Sequence, residues 1–497
     1  MINHRASGIL LHPTSLPSPF GIGDLGDEAR AFIDFLNEAG QTLWQVLPLT
    51  PTGYGDSPYQ SISAFAGNPL LIDLRALVAD GFLETDQLAD ALVDSDRVDF
   101  ESVRSVKIEF LNLAFAKFHD QASTSIASEF DEFCSRAAWW LNNYALFNAV
   151  KKTQGNSEWT AWERQLTRRD PEALAHARLT LADQIIREKF YQFLFFRQWN
   201  ALRDYARQHD VRIIGDLPIF VAHDSADLWT HPELFKLDEN GKPIVVAGVP
   251  PDYFSETGQL WGNPLYEWEQ LRASDFKWWI DRVRWTLELF DFVRIDHFRG
   301  FAACWEIPAG DPTAQNGRWV ETPGRELFGA LKKRLGDLPI IAENLGVITP
   351  EVENLREEFG FPGMRVLQFA FGGNATNDHL PHNYTRDSVV YSGTHDNDTT
   401  VGWFSEAGEQ ERAHCLSYLG SDGDEINWDM IRAAMASVGD WAIIPMQDVL
   451  GLGNQARMNL PASEHGNWNW RMKSNVLGRD LSARLRDLTK LYGRTNN

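Results

Sequence analysis

Eight short apolar runs recur along the chain, and each ends abruptly in polar residues. Runs of this kind, separated by amphipathic helical segments, predict parallel strands that are buried on both faces and joined by crossover helices. Eight strand–helix units predict an α/β fold, the closed (β/α)8 or TIM barrel, which requires about 250 residues. The runs occupy residues 8–13, 43–48, 212–218, 292–298, 340–346, 366–371, 389–398 and 443–450.

The spacing of the runs is uneven and predicts two insertions. About 170 residues separate the second and third runs and about 80 the third and fourth, although a strand–helix–strand unit needs only about 30. We expect a helical insertion over 74–180 and a loop-rich insertion over 217–275, at the C-terminal face of a barrel formed by 1–73 and 181–497. The short tail after the eighth run predicts that no C-terminal β-domain follows.

The net charge of the chain excludes two classes of binding partner. The 46 basic and 69 acidic residues give a formal net charge of −23, which repels phosphate backbones and anionic lipid. We therefore expect neither a nucleic acid nor a membrane as partner.

Cys134, Cys304 and Cys415 lack the spacing of a disulfide framework or a zinc site. Without a signal-peptide core or a membrane-spanning run, the expected location is the cytoplasm, or the plastid stroma after removal of a transit peptide.

A glycine-rich segment near the N-terminus raises the alternative of a nucleotide-dependent oxidoreductase. Gly21, Gly23 and Gly26 have the GxGxxG spacing of a dinucleotide-binding turn. However, prolines separate this segment from the preceding strand, and the next strand ends at Pro48 where the ribose-binding acid would stand. No cofactor is therefore predicted. The 19 tryptophans are an excess that these features leave unexplained.

Acidic side chains stand at the ends of three predicted strands. Arg294 and Asp296 are two residues apart and project from one face of a strand, so the arginine would keep the aspartate ionised. Glu343 ends the next strand among apolar neighbours, which raise the pKa of a carboxyl as a general acid requires. Carboxylates on adjacent strands predict the pair of a retaining glycosidase, about 5 to 5.5 Å apart.

Two further rim positions carry alternative interpretations. His395 and Asp396, in THDND, would hydrogen-bond sugar hydroxyls, whereas a hard-cation site would show oxygen ligands at alternating positions of a defined loop. No metal is predicted. Asp216, at the end of the third run, would hold another hydroxyl, or would cap the core instead.

Seven long segments of the chain closely resemble the amylomaltase family, the 4-α-glucanotransferases or disproportionating enzymes of the α-amylase superfamily. The resemblance runs essentially end to end and implies a retaining (β/α)8 enzyme without a C-terminal β-domain. The segments that carry it are GYGDSPYQSISAFAGNPLLIDL (53–74), GDLPIFVAHDSAD (215–227), GVPPDYFSETGQLWGNPLY (248–266), VRIDHFRGF (293–301), AENLG (342–346), SGTHDNDTT (392–400) and QDVLGLGNQARMN (447–459).

Roles follow from this resemblance by motif. Asp296 matches the nucleophile, Glu343 the acid/base and Asp396 the stabiliser of the transition state. The segment 248–266 is expected to cover the active site, with Tyr253, Phe254, Trp261 and Tyr266 as its aromatic residues. The positions expected to contact substrate are Tyr59, Asp216, Gln259, Trp261, Arg294, His297 and His395.

The implied activity is the transfer of α-1,4-glucan segments from a donor to the 4-hydroxyl of an acceptor through a covalent glucosyl-enzyme. The expected substrates are α-1,4-glucans and maltooligosaccharides, with glucose as an acceptor. Two alternatives stay open. An α-1,4-glucan hydrolase would share the three carboxylates, and a noncatalytic glucan-binding protein would use the same cleft without reaction.

Overall fold

The computed structural model describes residues 4–93, 95–251, 255–461, 463 and 465–495. Its centre is a closed barrel of eight parallel strands, accompanied by a four-stranded antiparallel sheet. The strands of the described chain are β1 (Ala6–Leu10), β2 (Leu43–Gln45), β3 (Arg212–Leu217), β4 (Val245–Val249), β5 (Gln259–Pro264), β6 (Phe292–Ile295), β7 (Ala303–Pro308), β8 (Arg318–Glu321), β9 (Ile340–Ala342), β10 (Gly363–Val366), β11 (Ser388–Tyr391) and β12 (Trp441–Pro445).

The barrel strands follow the order β1, β2, β3, β6, β9, β10, β11 and β12, and the ring closes where β12 pairs with β1. Every residue of β1, β2, β9, β11 and β12 is buried, as strands covered on both faces require. The predicted eight-stranded barrel is confirmed.

The sixth strand lies slightly earlier than the sixth apolar run. Strand β10 ends at Val366, and Leu367–Phe369 form a 3-10 helix. Arg365 is polar and interrupts the apolar pattern inside the strand, whereas Leu367 is fully buried after it. The apolar run therefore marked the turn that follows the strand.

Helices cover the barrel and fill the long interval between β2 and β3. The α-helices of the described residues are α1 (Asp27–Glu38), α2 (Leu74–Ala79), α3 (Phe100–Gln121), α4 (Thr124–Arg136), α5 (Ala138–Thr153), α6 (Arg164–Thr167), α7 (Pro171–Thr180), α8 (Ala182–Gln208), α9 (Ala226–Thr230), α10 (Trp268–Ala273), α11 (Lys277–Leu289), α12 (Gly324–Leu335), α13 (Pro350–Glu358), α14 (Thr400–Glu406), α15 (Glu409–Leu419), α16 (Ile426–Ala436), α17 (Met446–Val449) and α18 (Arg479–Leu491). In the part of the chain that the structure describes, none of the helices has the length and hydrophobicity needed to cross a membrane.

Between β2 and β3 the chain is predominantly helical, from α2 to α8. Helix α8 carries an apolar stripe that includes Phe190, Phe193 and Phe196, and these rings contact phenylalanines of α3 and α4. The aromatic residues of these helices and the barrel strands belong to one hydrophobic core. The boundaries 74–180 remain a prediction, because the shared core does not itself divide the chain there.

A small antiparallel sheet, the rim sheet, has the strand order β5, β4, β7 and β8. Part of the segment 217–275, expected to be rich in loops, thus forms two strands. Strand β4 pairs with β7, which lies about 55 residues further along the chain and outside the segment. This pairing explains why the local pattern of glycine, proline and aromatic residues did not reveal the strands.

Candidate active site

Polar side chains converge at the C-terminal ends of neighbouring barrel strands. Asp216 on β3 lies directly opposite Arg294 on β6 in the parallel register. Ile295 on β6 lies opposite Ala342 on β9, so Asp296 and Glu343 each follow at the same level, one residue beyond their strands. The (β/α)8 fold places catalytic groups at this face, because its loops follow the strand ends.

The guanidinium of Arg294 joins two of the carboxylates. Its Nη1 donates to Oδ2 of Asp216 at 2.7 Å, and its Nη2 donates to Oδ1 of Asp296 at 2.9 Å. Tyr59 also donates its hydroxyl to Oδ2 of Asp216, at 2.8 Å. Arg294 and Asp216 are buried, whereas the side chain of Asp296 is 29% exposed. The arginine therefore orients Asp296 while one side of this carboxylate faces the open mouth of the barrel.

Glu343 lies in a more buried environment than Asp296. Burial, together with the negative charge of Asp296, raises the pKa of Glu343 to about 8, although Arg294 lowers it. The carboxyl accepts hydrogen bonds from the backbone N–H groups of His297, at 2.7 Å, and Leu345, at 3.1 Å. These bonds fix its orientation, and the raised pKa leaves it protonated at neutral pH, as a proton donor requires.

Asp396 lies on the loop after β11. Its Oδ1 lies 3.4 Å from Nε2 of His395 and accepts a hydrogen bond from Nδ2 of Asn459 at 2.6 Å. Arg457 donates to the backbone carbonyl of Asp396 at 2.7 Å. The ring of Tyr59 stacks on His395 with centroids 5.2 Å apart and planes at 10°. The side chain of Asp396 is 45% exposed and remains open to a ligand.

The rim sheet reaches the site through Trp261 on β5. Its ring meets His297 edge to face, with centroids 4.8 Å apart, and its Nε1 donates to Oε1 of Gln259 at 3.1 Å. His297 has a left-handed backbone conformation, with φ of 48°, which is uncommon for a residue with a Cβ. Burial lowers the pKa of His297 to about 4, so the imidazole is neutral at neutral pH.

All ten site residues predicted from the sequence belong to one contiguous group of contacts. One series of contacts runs from Asp296 through Arg294, Asp216 and Tyr59 to His395 and Asp396. The other runs from Glu343 through His297 to Trp261 and Gln259. The prediction that Tyr266 belongs to the cover was wrong. Its side chain is buried and donates its hydroxyl to the carbonyl of Ile219 at 2.8 Å. Tyr253 and Phe254, also expected in the cover, lie outside the described residues.

The sequence did not single out the residues that hold the Asp396 loop. Asn459 and Arg457 fall in the segment 447–459, which entered the resemblance as a whole. Their polar side chains, lying beyond the last barrel strand, were the available signal. Trp468 was missed as well, and its ring lies 5.8 Å from that of Tyr59 and 6.0 Å from that of His395. Among the described residues no group of three or more His, Cys, Asp and Glu side chains is arranged to hold a metal ion.

Comparisons with known proteins identify the family to which the chain belongs. A family model described as 4-alpha-glucanotransferase matches residues 11–477. The chain is 53% identical to a 4-alpha-glucanotransferase of Synechocystis sp., with 99% of each chain covered, and 53% identical to one of Thermus thermophilus, with 98% of each covered. The crystal structure of the amylomaltase of Streptococcus agalactiae in complex with acarbose aligns with a TM-score of 0.96 at 42% identity, covering 99% of this chain and 100% of that one. The chain therefore belongs to the 4-α-glucanotransferase family.

Proposed function

We propose that this protein transfers α-1,4-glucan segments from a donor to the 4-hydroxyl of an acceptor, with Asp296 as nucleophile and Glu343 as acid/base. The observation that carries the assignment is the opposite environment of the two carboxyl groups. Arg294 donates a hydrogen bond to Asp296, and burial raises the pKa of Glu343 to about 8. A pair of carboxyl groups in opposite protonation states is what a double displacement needs.

In the first step a carboxylate oxygen of Asp296 forms a bond to C1 of the glucosyl unit. The bond between C1 and the glycosidic oxygen breaks, and that oxygen takes the proton of Glu343 as the leaving glucan departs. The product is a β-linked glucosyl ester of Asp296. The Arg294 hydrogen bond keeps the attacking carboxylate in one orientation, which lowers the entropic cost of reaching the transition state.

In the second step the acceptor replaces the leaving glucan. Glu343, now a carboxylate, takes the proton of the acceptor 4-hydroxyl while that oxygen bonds to C1 and the ester bond to Asp296 breaks. A new α-1,4 linkage forms, and both carboxyl groups return to their starting states. The acid of the first step thus serves as the base of the second, and two inversions give overall retention.

The remaining site residues, apart from Asp216, are assigned to the reacting sugar. Asp396 and His395 lie within 3.4 Å of each other and present hydrogen-bonding groups for hydroxyls of a ring that flattens in the transition state. Asp216 was expected to contact a sugar hydroxyl, but its side chain has no exposed surface, so we assign it instead to holding Arg294 and Tyr59 in place. Tyr59 supplies an aromatic face whose orientation is fixed by its hydrogen bond to Asp216.

Transfer requires that the acceptor sugar compete with water for the glucosyl ester. Trp261 on β5 contacts His297 and donates a hydrogen bond to Gln259 on the same strand, so the rim sheet forms one wall of the mouth. We assign these residues to sugar binding and to the exclusion of water from the ester. The expected substrates are maltooligosaccharides and longer α-1,4-glucans, and glucose serves as an acceptor.

Incubation with maltotriose tests the proposal directly. Chromatography should reveal glucose together with maltooligosaccharides longer than maltotriose. Glucose and maltose alone would overturn the transferase assignment in favour of the hydrolase. The variant Asp296→Asn should lose activity by several orders of magnitude while it still binds maltooligosaccharide, measured by calorimetry. Unchanged activity in this variant would favour a different nucleophile, whereas a wild type that binds maltotriose without converting it would favour the noncatalytic glucan-binding protein.

A further inference from the structure

Trp319 is a partly exposed aromatic residue at the edge of the rim sheet. It lies on β8, opposite Trp305 on β7, and the two rings meet at 64° with centroids 5.1 Å apart. Although Trp305 packs against it, Trp319 remains 37% exposed. A large apolar ring that is ordered by its neighbours and partly open to solvent is suited to bind a ligand at low entropic cost.

The covered side of Trp319 is occupied by an arginine from the loop after the nucleophile strand. The guanidinium carbon of Arg299 lies 3.7 Å from the centre of the Trp319 ring, a cation–π contact. Arg299 also donates from Nη1 to the carbonyl of Val347 at 2.6 Å, and its Nε is buried. Trp319, Arg299 and Val347 thus form one rigid unit, which we call the Trp319 platform.

The platform is attached to the loops that carry both catalytic carboxyl groups. Arg299 follows Asp296 by three residues, and Val347 follows Glu343 by four residues. Val347 is itself exposed and apolar. Because Glu343 protonates the leaving glucan and later deprotonates the acceptor, the acceptor side of the cleft adjoins the loop of Glu343. The hydrogen bond from Arg299 to the carbonyl of Val347 thus joins the platform to the loop of the residue that acts on the acceptor.

We propose that the exposed face of Trp319 stacks on a glucose ring of the acceptor chain, at a position beyond the sugar that reacts. This inference rests on the proposed function, which supplies a neutral glucan chain at this side of the cleft. The aliphatic C–H face of a glucose ring packs on an aromatic face, and the Arg299 contact fixes the orientation of that face in advance. A single glucose acceptor does not extend to the platform, whereas a longer acceptor does.

The competing interpretation is that Trp319 only shields Arg299. An assay of glucan transfer from excess soluble starch distinguishes this interpretation from the proposal. The acceptor is either glucose or maltotetraose, labelled at the reducing end. The longer labelled products are quantified for the wild type, Trp319→Leu and Trp319→Phe. We expect Trp319→Leu to raise KM for maltotetraose roughly three- to tenfold, the size of one aromatic stacking contact, with kcat unchanged. KM for glucose should stay at the wild-type value, and Trp319→Phe, which keeps a flat ring, should retain most of the maltotetraose affinity.

Trp139→Leu is the matched control, because Trp139 is also exposed, to 45%, yet it packs on Phe65 and Trp285 away from the rim sheet. It should leave both KM values unchanged. Equal changes for glucose and maltotetraose in Trp319→Leu, or no change for either, would overturn the platform as an acceptor subsite. Absence of any lengthened product from the wild type would instead contradict the proposed function itself.

Discussion

The carboxyl groups of Asp296 and Glu343, at the mouth of the barrel, have different hydrogen-bond donors around them. Arg294 donates to both Asp216 and Asp296, so a single buried cation is shared by two acids. Glu343 accepts hydrogen bonds from the backbone N–H groups of His297 and Leu345, and burial raises its pKa. The difference between the proposed nucleophile and the proposed acid is therefore attributed to their surroundings, because both are carboxyl groups.

The raised pKa of Glu343 predicts a pH dependence. Since the first step needs the protonated acid, kcat/KM for maltotriose should fall as pH rises through about 8, the pKa of this carboxyl. Above that value the rate should decline about tenfold per pH unit, because the fraction of protonated acid declines in that proportion. The measurement is the initial rate of glucose release at low maltotriose concentration across the pH range.

An activated donor provides the control for this assignment. The fluoride of α-maltosyl fluoride leaves without protonation, so formation of the glucosyl ester from it should lack the alkaline decline. Glu343→Gln should still release fluoride in a first turnover while it fails to cleave maltotriose. If Glu343→Gln cleaved maltotriose at the wild-type rate, another residue would be the acid.

Among the structural elements, helix α3 is attached to the barrel by a buried ion pair. Lys107 donates from Nζ to the carbonyl of Ile72 at 2.6 Å and lies 3.4 Å from Oδ2 of Asp24, and both charged side chains are fully buried. Ser18 donates to the same carboxylate oxygen at 2.7 Å. Burial raises the pKa of Asp24 and lowers that of Lys107, so each charge depends on its partner.

Removal of one member of this pair should destabilise the fold strongly. Lys107→Met removes the nearer of two cations from the buried carboxylate of Asp24 and leaves Arg75, whose Nη2 lies 3.9 Å from Oδ1. We expect a loss of about 3 kcal/mol or more in the free energy of unfolding. The double variant Asp24→Asn/Lys107→Met should lose less than the sum of the single variants. Urea unfolding, followed by circular dichroism, measures all three.

Lys117→Met is the matched control on the same helix. Lys117 pairs with Glu84 at the surface, where both side chains are partly exposed, and such pairs contribute at most about 1 kcal/mol. Comparable losses for Lys107→Met and Lys117→Met would show that the buried pair contributes no special attachment.

The elements differ in how well the sequence predicted them. Strands β6 and β9 were located because each is an apolar run followed by polar residues. Strand β10 was displaced, because Arg365 breaks its apolar pattern. The rim sheet was not anticipated, because the pairing of β4 with β7 depends on residues distant in the sequence. The hydrophobic periodicity of a segment indicates whether that segment is buried, but it does not indicate which strand pairs with it.

Over the whole molecule, closure of the barrel depends on the close approach of its first two strands. Gly8 on β1 lies opposite Leu43 on β2, and a Cβ at residue 8 would lie 2.2 Å from the carbonyl oxygen of Leu43. Strand β1 also pairs with β12, so displacement at this position would disturb both sides of the closing strand. The glycine is thus required by packing, not by its backbone conformation.

Replacement of glycine by alanine should therefore lower the free energy of unfolding at one position and raise it at another. Gly8→Ala should lower the free energy of unfolding by about 1 to 3 kcal/mol or more, since the barrel must shift to admit the methyl group. Gly329→Ala lies in α12, where a Cβ meets nothing within 4 Å, and should raise it by about 0.5 to 1 kcal/mol. Thermal unfolding by calorimetry compares them, and a stable Gly8→Ala variant would show that the strands separate at little cost.

The tryptophan excess is also explained at the level of the molecule. Most of the 19 tryptophans are buried, including Trp44, Trp199 and Trp441 around the barrel and Trp140 in α5. Their rings fill the space between the barrel and the helices, where large side chains contribute most to the apolar area removed from water. Only a few, such as Trp261, remain partly exposed at the mouth.

The sequence by itself determined the number of barrel strands and the positions of the three carboxylates, because burial of a strand and the end of a strand are both local properties. Tertiary structure alone decided the protonation of Glu343, the pairing of the rim sheet and the contact of Arg299 with Trp319. Each of these depends on groups brought together from distant parts of the chain, since burial and charge at a site are set by all of its neighbours in space.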